Sequence, residues 1–163
     1  MIYTLLDKSE KDNLLPELFD LYYNNMSQIA PSELCHEAEQ IQWLAAVSPA
    51  LEKAPRQILL CRNGNDILGY IQYYTRDDLL MIEELQLRGD YQRSTVFISM
   101  VRALIRLLPE GLRHVEAYAD IRNHRSIQLM QRLGMELVPE PESSPFVHFR
   151  GVAEKVREKL TRT

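Results

Sequence analysis

Hydrophobic positions follow two spacings along this chain, and each change of spacing marks a new element. Residues 2–6 (IYTLL) read as a short strand. Leu15, Leu18, Phe19, Tyr22 and Met26 then recur at helical intervals, with Pro16 tolerated only if it lies in the first turn. Asn24 and Asn25 weaken that helix near its end, and Ala30-Pro31-Ser32 breaks it. Ser32 can cap a second helix that carries Leu34, Ala38, Ile41, Leu44 and Ala45 on one side, and Ser48-Pro49 ends it. Two β-like runs, 57–61 (QILLC) and 67–74 (ILGYIQYY), flank Asn63-Gly64-Asn65-Asp66 and so predict a hairpin.

Thr75-Arg76-Asp77-Asp78 turns the chain into its central stretch, 79–108. Residues 79–87 are apolar except for Glu83, Glu84 and Gln86, which reads as a buried strand ending at the turn Arg88-Gly89-Asp90. Ser94 and Thr95 offer capping hydroxyls before Val96, Ile98, Val101, Leu104, Ile105 and Leu108, an amphipathic helical stripe. A strand running into a helix start is a natural phosphate site, because the first helical N–H groups have no partner within the helix.

Pro109-Glu110-Gly111 breaks the chain, and 114–119 (HVEAYA) reads as a strand. Ser126, Ile127, Met130 and Leu133 form a further helix stopped by Gly134. A short strand at 135–138, a proline- and acid-rich loop at 139–145 and a last strand at 146–149 follow. Residues 154–162 form a charged helical tail with a solvated face. The order is β α α β β β α β α β β plus the tail: one α/β domain over 1–150 and a helical tail over 151–163.

Composition narrows the function. Hydrophobic content of 45% and charged content of 26% suit an ordinary globular domain. The apolar runs are far shorter than the roughly 20 residues of a membrane helix, and MIYTLLDKSEKD lacks a basic segment followed by an apolar core, so neither a membrane span nor a signal peptide is expected. Cys35 and Cys61 make no disulfide framework, so a cytoplasmic location is expected. A net charge of −4 with no basic block argues against nucleic-acid binding. Cys35-His36, Cys61, His114, His124 and His148 share no metal-ligand spacing, so no metal is expected.

Two segments resemble the Gcn5-related N-acetyltransferases (GNAT), a family that moves an acetyl group from acetyl-CoA to an amine. The family's strand end, Leu-x-Val, corresponds to Leu85-Gln86-Leu87, and its Gln/Arg-x-x-Gly-x-Gly/Ala loop to Gln92-Arg93-Ser94-Thr95-Val96-Phe97. Thr95 and Phe97 stand where the family has glycine. Asn123 through Met135 resembles Asn-x-x-Ala/Ser-x-x-x-Tyr-x-x-x-Gly-Phe, with Asn123, Ser126 and Gly134 matching. Met130 replaces the tyrosine thought to protonate the leaving thiolate, and Met135 replaces the phenylalanine. Taken alone, this second segment is also a capped amphipathic helix.

The resemblance implies a GNAT fold: a mixed, mostly antiparallel central sheet of about seven strands flanked by helices on both faces. It implies acetyl-CoA as co-substrate. Leu85 and Leu87 would pair through their main chain with pantetheine, and Gln92, Arg93, Ser94, Thr95, Val96, Phe97, Asn123 and Ser126 would complete the cofactor site. Glu84 or Glu83 would assist deprotonation of the acceptor. Being consecutive on a strand, they point to opposite faces, and either can instead be solvent-facing or paired with an arginine. Tyr118 can bind substrate, act as the acid, or simply pack. Tyr22, Tyr23, Asn24, Asn25 and Trp43 fall in the helices that cover the acceptor groove in this fold, with packing the plainer role for Tyr22 and Trp43. Glu140 and Glu142 lie in a solvated loop.

The expected function is direct acetyl transfer to a small-molecule or peptide amine. The rival is a non-catalytic sensor or interaction module of the same fold, in which Thr95, Phe97 and Met130 mark a lost reaction. The direction of the Phe97 ring separates the two: closing the phosphate cradle favours the module, packing under the helix favours the enzyme. A pairing of two copies is left open.

Overall fold

The computed structural model describes residues 1–53, 55–92, 94–108 and 110–161, with the backbone alone at Ser94. Its elements are β1 (Ile2–Leu5), α1 (Lys11–Ile29), α2 (His36–Glu52), β2 (Gln57–Asn63), β3 (Asp66–Arg76), β4 (Leu79–Leu87), α3 (Ser94–Leu107), β5 (His114–Asp120), α4 (His124–Arg132), β6 (Glu136–Val138), β7 (Phe146–Val152) and α5 (Ala153–Thr161). A 3-10 turn, Gly89–Tyr91, links β4 to α3. The strands form a seven-stranded mixed sheet in the order β1-β2-β3-β4-β5-β7-β6. The α/β order expected from the hydrophobic pattern is the order found. Pro109, the expected break after α3, lies outside the described residues.

By compactness the chain divides into Met1–Gln72 with Glu84–Gln92, and Tyr73–Glu83 with Arg93–Thr163. In the first unit, Leu15, Leu18, Val47, Leu51, Ile58, Leu60, Ile67 and Tyr70 form a buried core against which Leu14, Trp43 and Leu44 pack. β1 pairs antiparallel with β2, from Ile2↔Arg62 to Leu5↔Leu59. Lys11 and Glu52 pair, tying the start of α1 to the end of α2. Gly69 on β3 permits a close approach: a Cβ there would lie 2.5 Å from the Gln86 carbonyl oxygen and 2.6 Å from Leu87 Cδ2.

Three expectations in this unit need correcting. α1 begins at Lys11, so Pro16 sits beyond the first turn and leaves the carbonyl of Asp12 without a helical donor. α2 begins at His36 rather than after Ser32, whose hydroxyl instead accepts the Leu34 N–H at 3.1 Å. It runs through Pro49 to Glu52 and turns Val47 and Leu51 inward, whereas Leu34 and Ile41 are exposed. With the helix lasting past Pro49, core contact rather than local propensity selects the inner face.

In the second unit β4 runs parallel to β5, with the register Leu79↔His114 to Ile82↔Ala117, and β4 itself continues to Leu87. The crossover between these strands contains α3, as a parallel pair requires. β7 pairs antiparallel with both β5 and β6. α3 already includes Ser94, so Thr95 lies inside its first turn instead of capping it. Asn123 does cap α4, its side chain accepting the Ser126 N–H at 3.1 Å, and Gly134 follows with φ +78°.

The tail is also more than a solvated face. α5 buries Ala153, Val156 and Leu160, and Arg102 on α3 donates to the Leu160 carbonyl. Its charged residues cover the outer side of an amphipathic helix whose pattern is diluted by Glu and Lys. Arg162, the expected end of the tail, lies outside the described residues.

Two stability outcomes follow from these contacts. Gly69→Ala should lower the urea midpoint by an amount equivalent to about 2 kcal/mol or more, because backbone at Gln86 has to give way. Leu160→Ala should cost about 2–4 kcal/mol in the same measurement, whereas a merely solvated tail would give almost no change.

Candidate functional site

Glu84 lies half-buried on β4 and accepts two hydrogens from aromatic side chains, the Tyr70 hydroxyl and, at 3.4 Å, the Trp43 indole N–H. These partners come from β3 and α2, so two elements hold the carboxylate. Burial, together with the charge of Glu84, pushes the Tyr70 phenol well above its ordinary range. Tyr70 therefore keeps its proton at neutral pH and donates a hydrogen bond to Glu84. Tyr22 is raised too, by burial first and then by the negative charges of Glu84 and Glu39. Glu83, the neighbouring strand residue, is half-buried.

Around these groups stands a cluster of rings. Phe19 lies within 6.1 Å, centroid to centroid, of Tyr22, Tyr23, His36 and Trp43, and Tyr22 is 6.2 Å from Trp43. Phe19 is core, but Tyr22 and Trp43 are only half-buried, so packing does not account for all of their surface.

A second polar group fixes the end of β4. Asn25 Nδ2 donates to Gln86 Oε1 and to the Leu87 carbonyl, both at 2.9 Å. Gln92 Nε2 donates to Asn25 Oδ1 at 2.8 Å and to the same carbonyl at 3.1 Å. The Arg88 N–H bonds the Leu68 carbonyl on β3. By the alternation of a strand, the main-chain groups of Leu87 and Leu85 then face the other edge. Sequence reasoning marked Asn25 as a pocket residue but missed this tie to Gln86, Leu87 and Gln92. An asparagine inside a helix, where it costs stability, was the available signal.

The second unit carries the remaining candidates. Thr95 is exposed in the first turn of α3, and Val96 is buried. Phe97 is only 4% exposed, and the residue lines a small cleft with Ile98, Leu129, Arg132 and Leu133. Phe97 is thus buried, whereas Thr95 two residues before it is exposed. Asn123 and Ser126 are engaged with each other as the α4 cap. Arg93, and the side chain of Ser94, lie outside the described residues.

Tyr118 is 46% exposed, so it is not a packed core aromatic. It stacks on His148, its cross-strand partner, at 4.3 Å and 10°. Slight burial and the charges of Glu140 and Glu116 raise its phenol. His148 is buried, with Nε2 3.2 Å from Glu116 and Nδ1 3.2 Å from Glu140. Glu140 is thereby drawn from the loop onto the sheet. No grouping of three metal-binding side chains occurs among the described residues, and no helix among them is long and apolar enough to cross a membrane.

Known structures share this architecture. PaiA N-acetyltransferase from Thermoplasma acidophilum, in complex with coenzyme A, superposes with TM-score 0.71 at 11% identity over 93% of this chain and 99% of that one. An acetyltransferase from Thermus thermophilus gives 0.69 at 18% identity, over 93% and 97%. Ribosomal-protein-alanine N-acetyltransferase from Brucella melitensis gives 0.62 at 13%, over 93% and 99%. At such identities the likeness is one of fold. A comparison with curated proteins finds no match. The acetyltransferase (GNAT) domain family, by contrast, matches residues 8–136, most of the chain and both of its distinctive segments up to Met135, and the chain therefore belongs to the GNAT acetyltransferase family.

Proposed function

We propose that the protein is an acetyl-CoA-dependent N-acetyltransferase acting on an amine in the cytoplasm by direct attack. The observation that carries this reading is Glu84, a half-buried carboxylate fixed by Tyr70 and Trp43 immediately before Leu85. An acceptor ammonium has to lose a proton before its nitrogen can attack, and a carboxylate in that position can attract the cation and take the proton. Glu83 is the alternative base on the other face of β4.

The chemistry of the residues in each unit supports acetyl-CoA as co-substrate. The end of β4 offers the main chain of Leu85 and the Leu87 N–H to pantetheine, the Leu87 carbonyl being taken by Asn25 and Gln92. Glycine at positions 95 and 97 is dispensable when Thr95 is exposed and Phe97 is turned inward, because the N–H groups at the start of α3 do not depend on side chain. Thr95 adds a hydroxyl, and Gln92, Arg93, Ser94 and Val96 complete the loop. Asn123 and Ser126 act by capping α4. When bound, acetyl-CoA supplies the activated acetyl group as a thioester.

Tyr118, exposed at β5, is the candidate acid in place of the tyrosine that Met130 replaces. Catalysis on this reading comes chiefly from holding the amine against the thioester. The inward Phe97 weighs against the non-catalytic module.

Two substitutions test the proposal. Thr95→Glu should weaken acetyl-CoA binding at least roughly tenfold in calorimetry without unfolding the chain, since an acid is favoured in a helix's first turn; undiminished binding would move the phosphates elsewhere. Glu84→Gln, which can still accept from Tyr70 and Trp43, should reduce kcat about a hundredfold while leaving acetyl-CoA affinity intact. Full turnover in that variant would shift the base to Glu83.

A further inference from the structure

The first unit contains a second carboxylate that the reaction does not use. Glu39 lies on α2, and its Oε2 is buried with no hydrogen-bond partner among the described residues. Trp43 is four residues further along the same helix, hence on the same face one turn on. The Trp43 ring meets Tyr22 of α1 at 6.2 Å and an interplanar angle of 31°, and the Trp43 indole N–H is directed at Glu84. Both rings are half-buried. Both carboxylates bear on the Tyr22 hydroxyl, which they and burial keep protonated.

Glu84 is satisfied by hydrogens from the protein, whereas Glu39 Oε2 is buried without one among the described residues. A buried carboxylate oxygen in that condition calls for a donor from outside, and aromatic faces beside it select an organic cation over water. The cation at Glu39 is a poor candidate for the attacking nitrogen. Glu39 lies on α2, whereas Glu84 stands on β4 immediately before Leu85, where the acetyl-transfer reading sets the thioester.

We propose that Glu39, Trp43 and Tyr22 form a subsite for a second, non-reacting ammonium group of the acceptor, which is therefore a compound carrying at least two amines. This rests on the acetyl-transfer reading, and it assigns the two carboxylates to different nitrogens. Glu84 takes the one that loses its proton and is acetylated. Glu39 takes the one that stays charged and fixes which end of the molecule reacts. Glu39 is on this account a specificity-determining residue, outside the bond-making step.

Trp43 is the chain's one tryptophan, so its emission reports occupancy of the subsite directly. The experiment titrates the wild type and Glu39→Gln with 1,4-diaminobutane and with butylamine, following Trp43 fluorescence, and titrates both proteins with acetyl-CoA by calorimetry. The wild type should bind diaminobutane about tenfold more tightly than butylamine, as a charge-assisted contact would give. Glu39→Gln should lose that preference while binding butylamine and acetyl-CoA as the wild type does.

Equal affinity of the wild type for the two amines, or binding of neither, overturns the subsite irrespective of how the variant folds. So does a preference that survives in Glu39→Gln. Acetyl-CoA binding without a diamine preference sinks the subsite alone. A Glu39-dependent preference in a protein that does not bind acetyl-CoA sinks acetyl transfer and leaves the subsite standing.

Discussion

A carboxylate carried on an internal strand costs free energy unless hydrogens reach it, and in this protein two aromatic side chains supply them to Glu84. That need sets much of the first unit. Tyr70 must stand on β3 with its hydroxyl toward β4, and Trp43 must be turned inward on α2. The inner face of α2 is fixed accordingly, with Trp43, Leu44, Val47 and Leu51 toward the core and Ile41 left in solvent. α2 cannot rotate to bury Ile41 without withdrawing the indole from the carboxylate. The hydrogen bond to Glu84 and the packing of Leu44, Val47 and Leu51 thus select the same face of the helix.

The end of β4 is held by a different device. Asn25 donates through its amide nitrogen and accepts through its oxygen, so that one helical side chain orders Gln86, Leu87 and Gln92 together. The Leu87 carbonyl accepts from two side chains and needs no strand partner. β4 can therefore run beyond its paired register with β5, where an unsatisfied carbonyl would otherwise discourage it. The asparagine that weakens α1 locally stabilises the strand it reaches.

Much of this was legible in the chain. The hairpin at Asn63–Asp66, the strand–turn–helix around Leu87 and the cap and stop of α4 at Asn123 and Gly134 each rest on local chemistry, and each stands where the pattern puts it. What local rules could not give depends on distant partners. α2 outlasts Pro49 because Val47 and Leu51 are buried on either side of it. α5 is amphipathic only when Val156 and Leu160 are set inward, and the Glu and Lys around them hide the stripe. Glu84 was visible as a candidate, but Tyr70 lies 14 residues earlier on another strand, and nothing around it announced that its hydroxyl would meet the carboxylate. His148 and Glu140 likewise join β7 to its preceding loop, a pairing that no spacing signals.

The close approach at Gly69 has a bearing on how this sequence can vary. The nearest obstacle to a side chain there is the carbonyl oxygen of Gln86, a main-chain atom that every residue type would place in the same spot. A smaller side chain at Leu87 could clear one neighbour but never that one. No change of side chain elsewhere can therefore make room at position 69, and the spacing of β3 against the end of β4 is set by a residue that has no side chain at all.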